Sequence, residues 1–274
     1  MIELKPKTWD EAKEEFKKCI KNERWVFRGQ ENSEWGLKTS LERWIISNKS
    51  LSKSVFDAEF AEEIFFDKFR DGAVRYLRSS LELPKNRLEW WALMQHFGTP
   101  TRLLDFTMSP YVATFFAFES AGKSKNCYVV WAVNETWCST TAVAIFNEAH
   151  KGEKEFVALH EYTDLSREEY FEKIFITDPK IPQMVFPVCS EHRNERLTIQ
   201  QGLFLCPGSA NDSFEEHLEN MDNSHDNLKK IIMPNEWREE VIKDLQLINI
   251  TSATLFPGLD GFARSLRDYI FKRH

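Results

Sequence analysis

Apolar positions in the first third of the chain recur at helical spacing. Thr8-Trp9-Asp10-Glu11 has the form of a capping box, and Ala12, Phe16, Cys19 and Ile20 follow, which predicts a helix ending near residue 20. Trp25, Val26 and Phe27 read as a short strand that runs into a polar turn at Gly29. Ser40 is placed to cap a helix carrying Leu41, Trp44 and Ile45. A longer helical pattern starts at Ser54 and passes Phe56, Phe60, Ile64, Ala73 and Leu77, with charges on the opposite face. A helix from Asn86 should stop at Gly98. Ser109-Pro110 opens another that is apolar nearly all round to Ala121, and so is expected to be buried.

The second half changes period. Asn126–Val133, Phe156–His160, Met184–Cys189, Gly202–Cys206 and Leu228–Met233 read as strands, although Lys229 and Lys230 interrupt the last. Helical patterns lie at Ser166–Ile174, Asn235–Leu247 and Asp260–Lys272. There is no internal repeat and no long Pro/Gly linker. The expected fold is α+β: a single mixed domain over residues 21–274, with the helical N-terminal portion (residues 1–20) packed on a mixed β-sheet.

Composition narrows this picture. The 274 residues include 22 Phe and 9 Trp but only 10 Gly, which disfavours folds built on repeated tight turns and leaves little for Gly-rich phosphate loops. The net charge of −7 gives no indication of a broad nucleic-acid footprint. Five widely spaced cysteines without a C-x-x-C read as reduced thiols, which with the absence of a signal-like N-terminus or a membrane-length apolar run points to a cytoplasmic protein without membrane contact.

Familiar catalytic motifs fail. Ala121-Gly122-Lys123-Ser124 resembles the end of a P-loop, but Ala117 stands where its first glycine belongs. No zinc spacing is present, so no metal is expected, and His217 and His225 read as solvated. No G-x-S-x-G occurs.

Three segments set costly polar residues beside apolar runs. In Trp25-Val26-Phe27-Arg28-Gly29-Gln30, Arg28 either pairs with a buried acid or presents its fork to phosphate or carboxylate oxygens. Gln95 to Thr107 packs Gln95, His96, Thr101, Arg102, Asp105 and Thr107 between two helices, as a corner-fixing network or as a site; Arg102 and Asp105 are near enough in sequence to pair. In Asn194 to Phe204, Gln200 and Gln201 precede a glycine at the start of a strand. Three such segments together favour a site.

These segments resemble the FRG-domain family, which takes its name from the motif seen here as Phe27-Arg28-Gly29. The likeness continues through Gln95–Thr107, Ser109-Pro110, Ala113 and Phe116-Ala117, then Arg196, Gln200, Gln201, Gly202 and Phe204, and closes at Leu255–Gly261. More distantly, the order of motifs is similar to arginine-first ADP-ribosyltransferases. That resemblance implies an ADP-ribosyltransferase-like fold and NAD as substrate. It implies Arg28 on a phosphate, His96 and Thr101 at the nicotinamide ribose or amide, Asp105 supplying negative charge, and Gln201 placing ribose or acceptor. Gln30, Gln95, Arg102, Thr107 and Ser109 complete the implied ligand set. The departure is glutamine where the transferases carry a catalytic glutamate; Glu195, on the same strand, would be roughly 20 Å from Gln201. The resemblance therefore implies an NAD-consuming transferase or glycohydrolase, as a toxin or phage-defence effector acting on an unnamed acceptor. The alternatives are a non-catalytic nucleotide-binding or sensing module that uses the same pocket, and a structural domain.

Overall fold

The computed structural model describes residues 1–21, 23–48, 57–76, 83–119, 126–152, 171–177, 181–189 and 195–266. A seven-stranded mixed sheet runs through the centre. Its strands are β1 (Ile2–Leu4), β2 (Trp25–Gln30), β3 (Leu104–Thr107), β4 (Tyr128–Asn134), β5 (Val185–Val188), β6 (Gly202–Pro207) and β7 (Leu228–Met233). The order is β1-β7-β4-β2-β3-β6-β5, antiparallel throughout except for β1 on β7.

Period-2 alternation splits β2, β4 and β7 between two cores. On one face Trp25, Phe27, Val130, Ala132, Ile231 and Met233 pack beneath α1 (Trp9–Ile20) and a second helix, Pro110–Phe118. On the other, Val26, Val129, Trp131 and Val133 pack with the helices Arg87–His96 and Glu135–Ala149. The helices after α1 include, in chain order, α2 (Ser40–Asn48), α3 (Ala58–Ala73), α4 (Arg87–His96), α5 (Pro110–Phe118), α6 (Glu135–Ala149), α7 (Glu195–Ile199), α8 (Phe214–Asn220), α9 (Arg238–Leu247), α10 (Ser252–Leu255) and α11 (Leu259–Ser265). Trp9, Ala12, Phe16 and Cys19 of α1 are buried in the sheet's own core.

Local chemistry sets the helix ends. Thr8, Asn86 and Ser109 each accept a backbone N–H as N-caps, Pro110 opens α5, and Gly98 leaves α4 with φ +82°. α2 departs in detail from expectation: Thr39 accepts the Glu42 N–H, and Ser40 is the first helical residue. The two lysines of β7 do not break it, because Lys229 lies over the Trp25 ring and Lys230 over Trp131. α5 is buried as expected at Val112, Phe115 and Phe118, whereas Phe116 is half-buried. His217 corrects the solvated reading. It lies on α8 with no solvent exposure, while His225 is exposed. The start of the Ser54 pattern, Leu77, the Ala121–Ser124 tetrapeptide, the 156–160 strand, most of the 166–174 helix and the end of the last helix lie outside the described residues.

One glycine explains how tightly the layers meet. A Cβ on Gly29 would stand 1.8 Å from the Ala113 carbonyl oxygen and 2.7 Å from the Ala117 nitrogen. α5 therefore rests directly on β2, and only glycine permits that approach.

Candidate functional site

β2 and β3 meet at a single residue pair, Phe27 with Thr107. β2 otherwise pairs along its length with β4, and β3 pairs with β6 through four residues. Beyond Phe27 on one strand and before Thr107 on the other, the sheet has no β2–β3 ladder. Arg28 and Gly29 flank this split on one side, Phe106 and Asp105 on the other.

A cavity of about 290 Å³ opens there, near the lower end of small-molecule sites. Arg28, Asp105, Thr107, Phe116, Arg196 and Gln200 supply much of its wall. A smaller recess of about 80 Å³ adjoins it, lined by Gln95 and His96 and sharing Asp105, Arg196 and Gln200. Asp105 is the one carboxylate among the described residues lining either.

Arg28 bridges the split. Its guanidinium donates to the Asp105 backbone carbonyl at 2.8 Å and stands 4.0 Å from the Asp105 carboxylate. Its Nε is buried without a hydrogen-bond partner. The Arg196 guanidinium, on α7, lies 4.8 Å from the centre of the Phe256 ring, and its side chain makes no hydrogen bond or ion pair among the described residues. Burial pushes both guanidiniums down from their ordinary value, and the Asp105 charge works against that in each. Both remain cationic. Burial first, and then the Arg196 charge, hold the His96 imidazole below its usual value, so it is neutral at physiological pH.

The remaining expected residues divide into two groups. Gln95 donates to Asp105 Oδ2 at 2.9 Å and borders the recess. Thr107 lines the larger cavity, but its hydroxyl donates to the Gln200 carbonyl at 2.7 Å and accepts the Ser109 N–H. Ser109 is a helix cap. Thr101 has no solvent exposure and donates to Gln95. Gln30 is buried, accepting the Trp131 indole N–H and donating to the Gly36 carbonyl. None of these last three lines the cleft.

Three expectations are corrected. Arg102 does not pair with Asp105. It is buried against Glu62 of α3, with nitrogen–oxygen distances of 2.6 and 2.7 Å, and also donates to the Gly208 carbonyl. Gln201 is exposed in a left-handed turn at φ 49°, and Gln200 is the glutamine in the wall, its amide donating to the Leu255 carbonyl. The presumed strand through Glu195 is the short helix α7, with Glu195 exposed.

Arg196 was missed as a site residue. Its signal was available: on a helix, Arg196 and Gln200 are four apart and share a face, whereas a strand reading hides the relation.

Residues 23–126 match the family model of the FRG domain. The chain carries an FRG domain. No curated protein and no solved structure matches it. The FRG match takes in Arg28, Gln95, His96 and Asp105 and ends before Arg196 and Gln200, which complete the cleft from the second half of the chain. The FRG motif itself has two separable tasks. Gly29 admits α5 against the sheet, while Arg28 spans the split. The likeness to ADP-ribosyltransferases rests on residue order alone. Among the described residues, no group of three or more His, Cys, Asp or Glu could hold a metal, and no helix is long and apolar enough to cross a membrane.

Proposed function

We propose that the split between β2 and β3 binds NAD and that the protein is an ADP-ribosyltransferase-like, NAD-consuming effector. The observation that carries this reading is the pair of under-coordinated arginines, Arg28 and Arg196, on one cleft with a single carboxylate between them. Guanidiniums match diphosphate oxygens in charge and in fork geometry. The half-exposed Asp105 supplies the negative charge that a ribosyl transition state requires. As the C–N bond to nicotinamide breaks, nicotinamide leaves with the bonding pair and positive charge develops at the ribose carbon. Asp105 stabilises that charge, and water or an acceptor hydroxyl forms the new bond and gives up its proton. Neutral His96, in the adjoining recess, can take it. Depletion of NAD by such a site in the cytoplasm would suit a toxin or a phage-defence protein.

A second reading, a non-catalytic nucleotide-binding module, is favoured by one feature. Gln200 is tied to the Leu255 carbonyl and Gln201 faces solvent, so no acid stands at the start of β6. Incubation of purified protein with NAD, followed by mass detection of free nicotinamide, separates the two. Release that disappears in Asp105→Asn supports the enzyme. NAD binding without release supports the binding module; no interaction with NAD overturns the NAD-consuming reading, and no thermal shift with any of a panel of nucleotides overturns the binding module as well.

A further inference from the structure

Gln95 and Thr101, expected from the resemblance to touch ligand, have a different geometry. Gln95 Nε2 faces two groups that can only accept, the Asp105 carboxylate at 2.9 Å and the Leu103 carbonyl at 3.4 Å. The NH2 end of the amide must therefore point that way, and its oxygen must point back into the protein. There it meets two hydroxyls: Thr101 Oγ1 at 2.8 Å and Ser40 Oγ at 3.1 Å. Thr101 Oγ1 already accepts the Leu103 N–H at 3.3 Å, so its own proton is left for Gln95. Ser40 Oγ accepts the Thr101 N–H at 3.0 Å and shares its proton between Gln95 and the Thr101 carbonyl. The chain of donors runs in one direction, from α2 and the loop before β3, through the end of α4, to the carboxylate in the cleft.

We infer that Ser40, Thr101 and Gln95 form a positioning relay that fixes Asp105, holding its Oδ2 so that Oδ1 alone is presented to the ligand. Oδ1 has no hydrogen bond among the described residues. Asp105 is half exposed on a sheet edge that no β2 ladder restrains, and without the relay its carboxylate would turn freely toward Arg28 or solvent. The wall of the recess explains why the relay is built from inside: Thr101 is fully buried and cannot itself reach a ligand. Ser40 acquires a role that its place at the start of a helix does not suggest. It orients Gln95, while Thr39 makes the capping hydrogen bond.

The relay's bearing on ligand rests on the proposed NAD reading, but its existence does not. The test is a side-chain amide spectrum of the full chain labelled with 15N-glutamine, the Gln95 signal being assigned by its loss in Gln95→Leu. The relay predicts slow solvent exchange of the Gln95 amide protons and a clear displacement of the signal in Asp105→Asn. It predicts loss of the slow exchange in Ser40→Ala/Thr101→Val, and recovery in Ser40→Ala/Thr101→Ser. An amide that exchanges at the solvent rate in the wild type, or that ignores Asp105→Asn, overturns the relay without any interior substitution. So does an unchanged signal in the folded double variant. On nicotinamide release, the double variant should lower kcat about tenfold or more with KM nearly unchanged, and Thr101→Ser should restore it. A wild type that releases no nicotinamide overturns the catalytic reading, and the amide signal still decides the relay.

Discussion

Arg102 and Arg28 both adjoin β3, yet their surroundings are opposite. Arg102 is saturated. Its Nε and Nη2 hold Glu62, its Nη1 donates to Gly208, its own N–H donates to Glu62 at 3.0 Å, and the Trp91 ring lies 5.1 Å from the guanidinium. Its side chain is 4% exposed and that of Glu62 2%. Arg28 holds one carbonyl, stands 4.0 Å from a half-exposed carboxylate and leaves Nε without a partner. Arg196, across the cleft, has only an aromatic face. A buried cation that serves the scaffold has every donor matched, because unmatched donors carry the desolvation cost without return. Cations left unmatched along a cavity are where a ligand's oxygens would complete the set.

The largest effect expected from breaking this contrast is on the scaffold side. Arg102→Leu or Glu62→Gln strands a buried partner and should lower stability by about 3–5 kcal/mol, read as a shift in the denaturant midpoint. Either variant losing less than about 1 kcal/mol would show the pair to be dispensable. On the cleft side, Arg28→Lys keeps the charge but loses the fork. NAD affinity should fall by about 1.5–3 kcal/mol in titration calorimetry while the melting temperature moves by only about 4 °C or less. Arg196→Ala should cost less, about 1–2 kcal/mol of binding, because α7 gives Arg196 no backbone of the sheet to brace against.

The contrast was only partly visible along the chain. Caps, the buried α5 and most strands followed from local pattern, since each depends on neighbours within a few residues. β3 did not. Leu104–Thr107 is four residues with an aspartate inside, and its partner β6 lies about a hundred positions away. β1, three residues long, pairs with a strand near the other end of the chain. Separation in sequence also hid Glu62, 40 positions from Arg102, so the nearby Asp105 looked like the partner of Arg102. Asp105 itself, Arg28, Gln95 and His96 were legible because each is a polar residue set where an apolar element ends. Gln200 and Gln201 were distinguishable only once α7 was known to end in a left-handed turn.

A smaller effect sharpens the comparison through pH. Burial holds the His217 and His96 imidazoles below their ordinary value, with Asp212 partly offsetting it at His217. The unfolded chain takes up these protons first, so this contribution to stability is whole above about pH 6.5 and is lost as pH falls below it. Burial pushes Glu42 and Glu215 upward, and these act in the opposite sense at lower pH. Urea midpoints at pH 7.5 and 5.5 should fall further for the wild type than for His217→Phe. An equal fall would remove His217 from the account.

Direct calorimetric titration of NAD into wild type, Arg28→Lys, Arg196→Ala and a folded control, Lys17→Gln on the exposed face of α1, tests the central claim most simply. The account predicts saturable binding to wild type and control, weakened about tenfold or more in Arg28→Lys, less in Arg196→Ala, with all four melting alike. Absence of binding in the wild type, or equal affinity in all four, would contradict it.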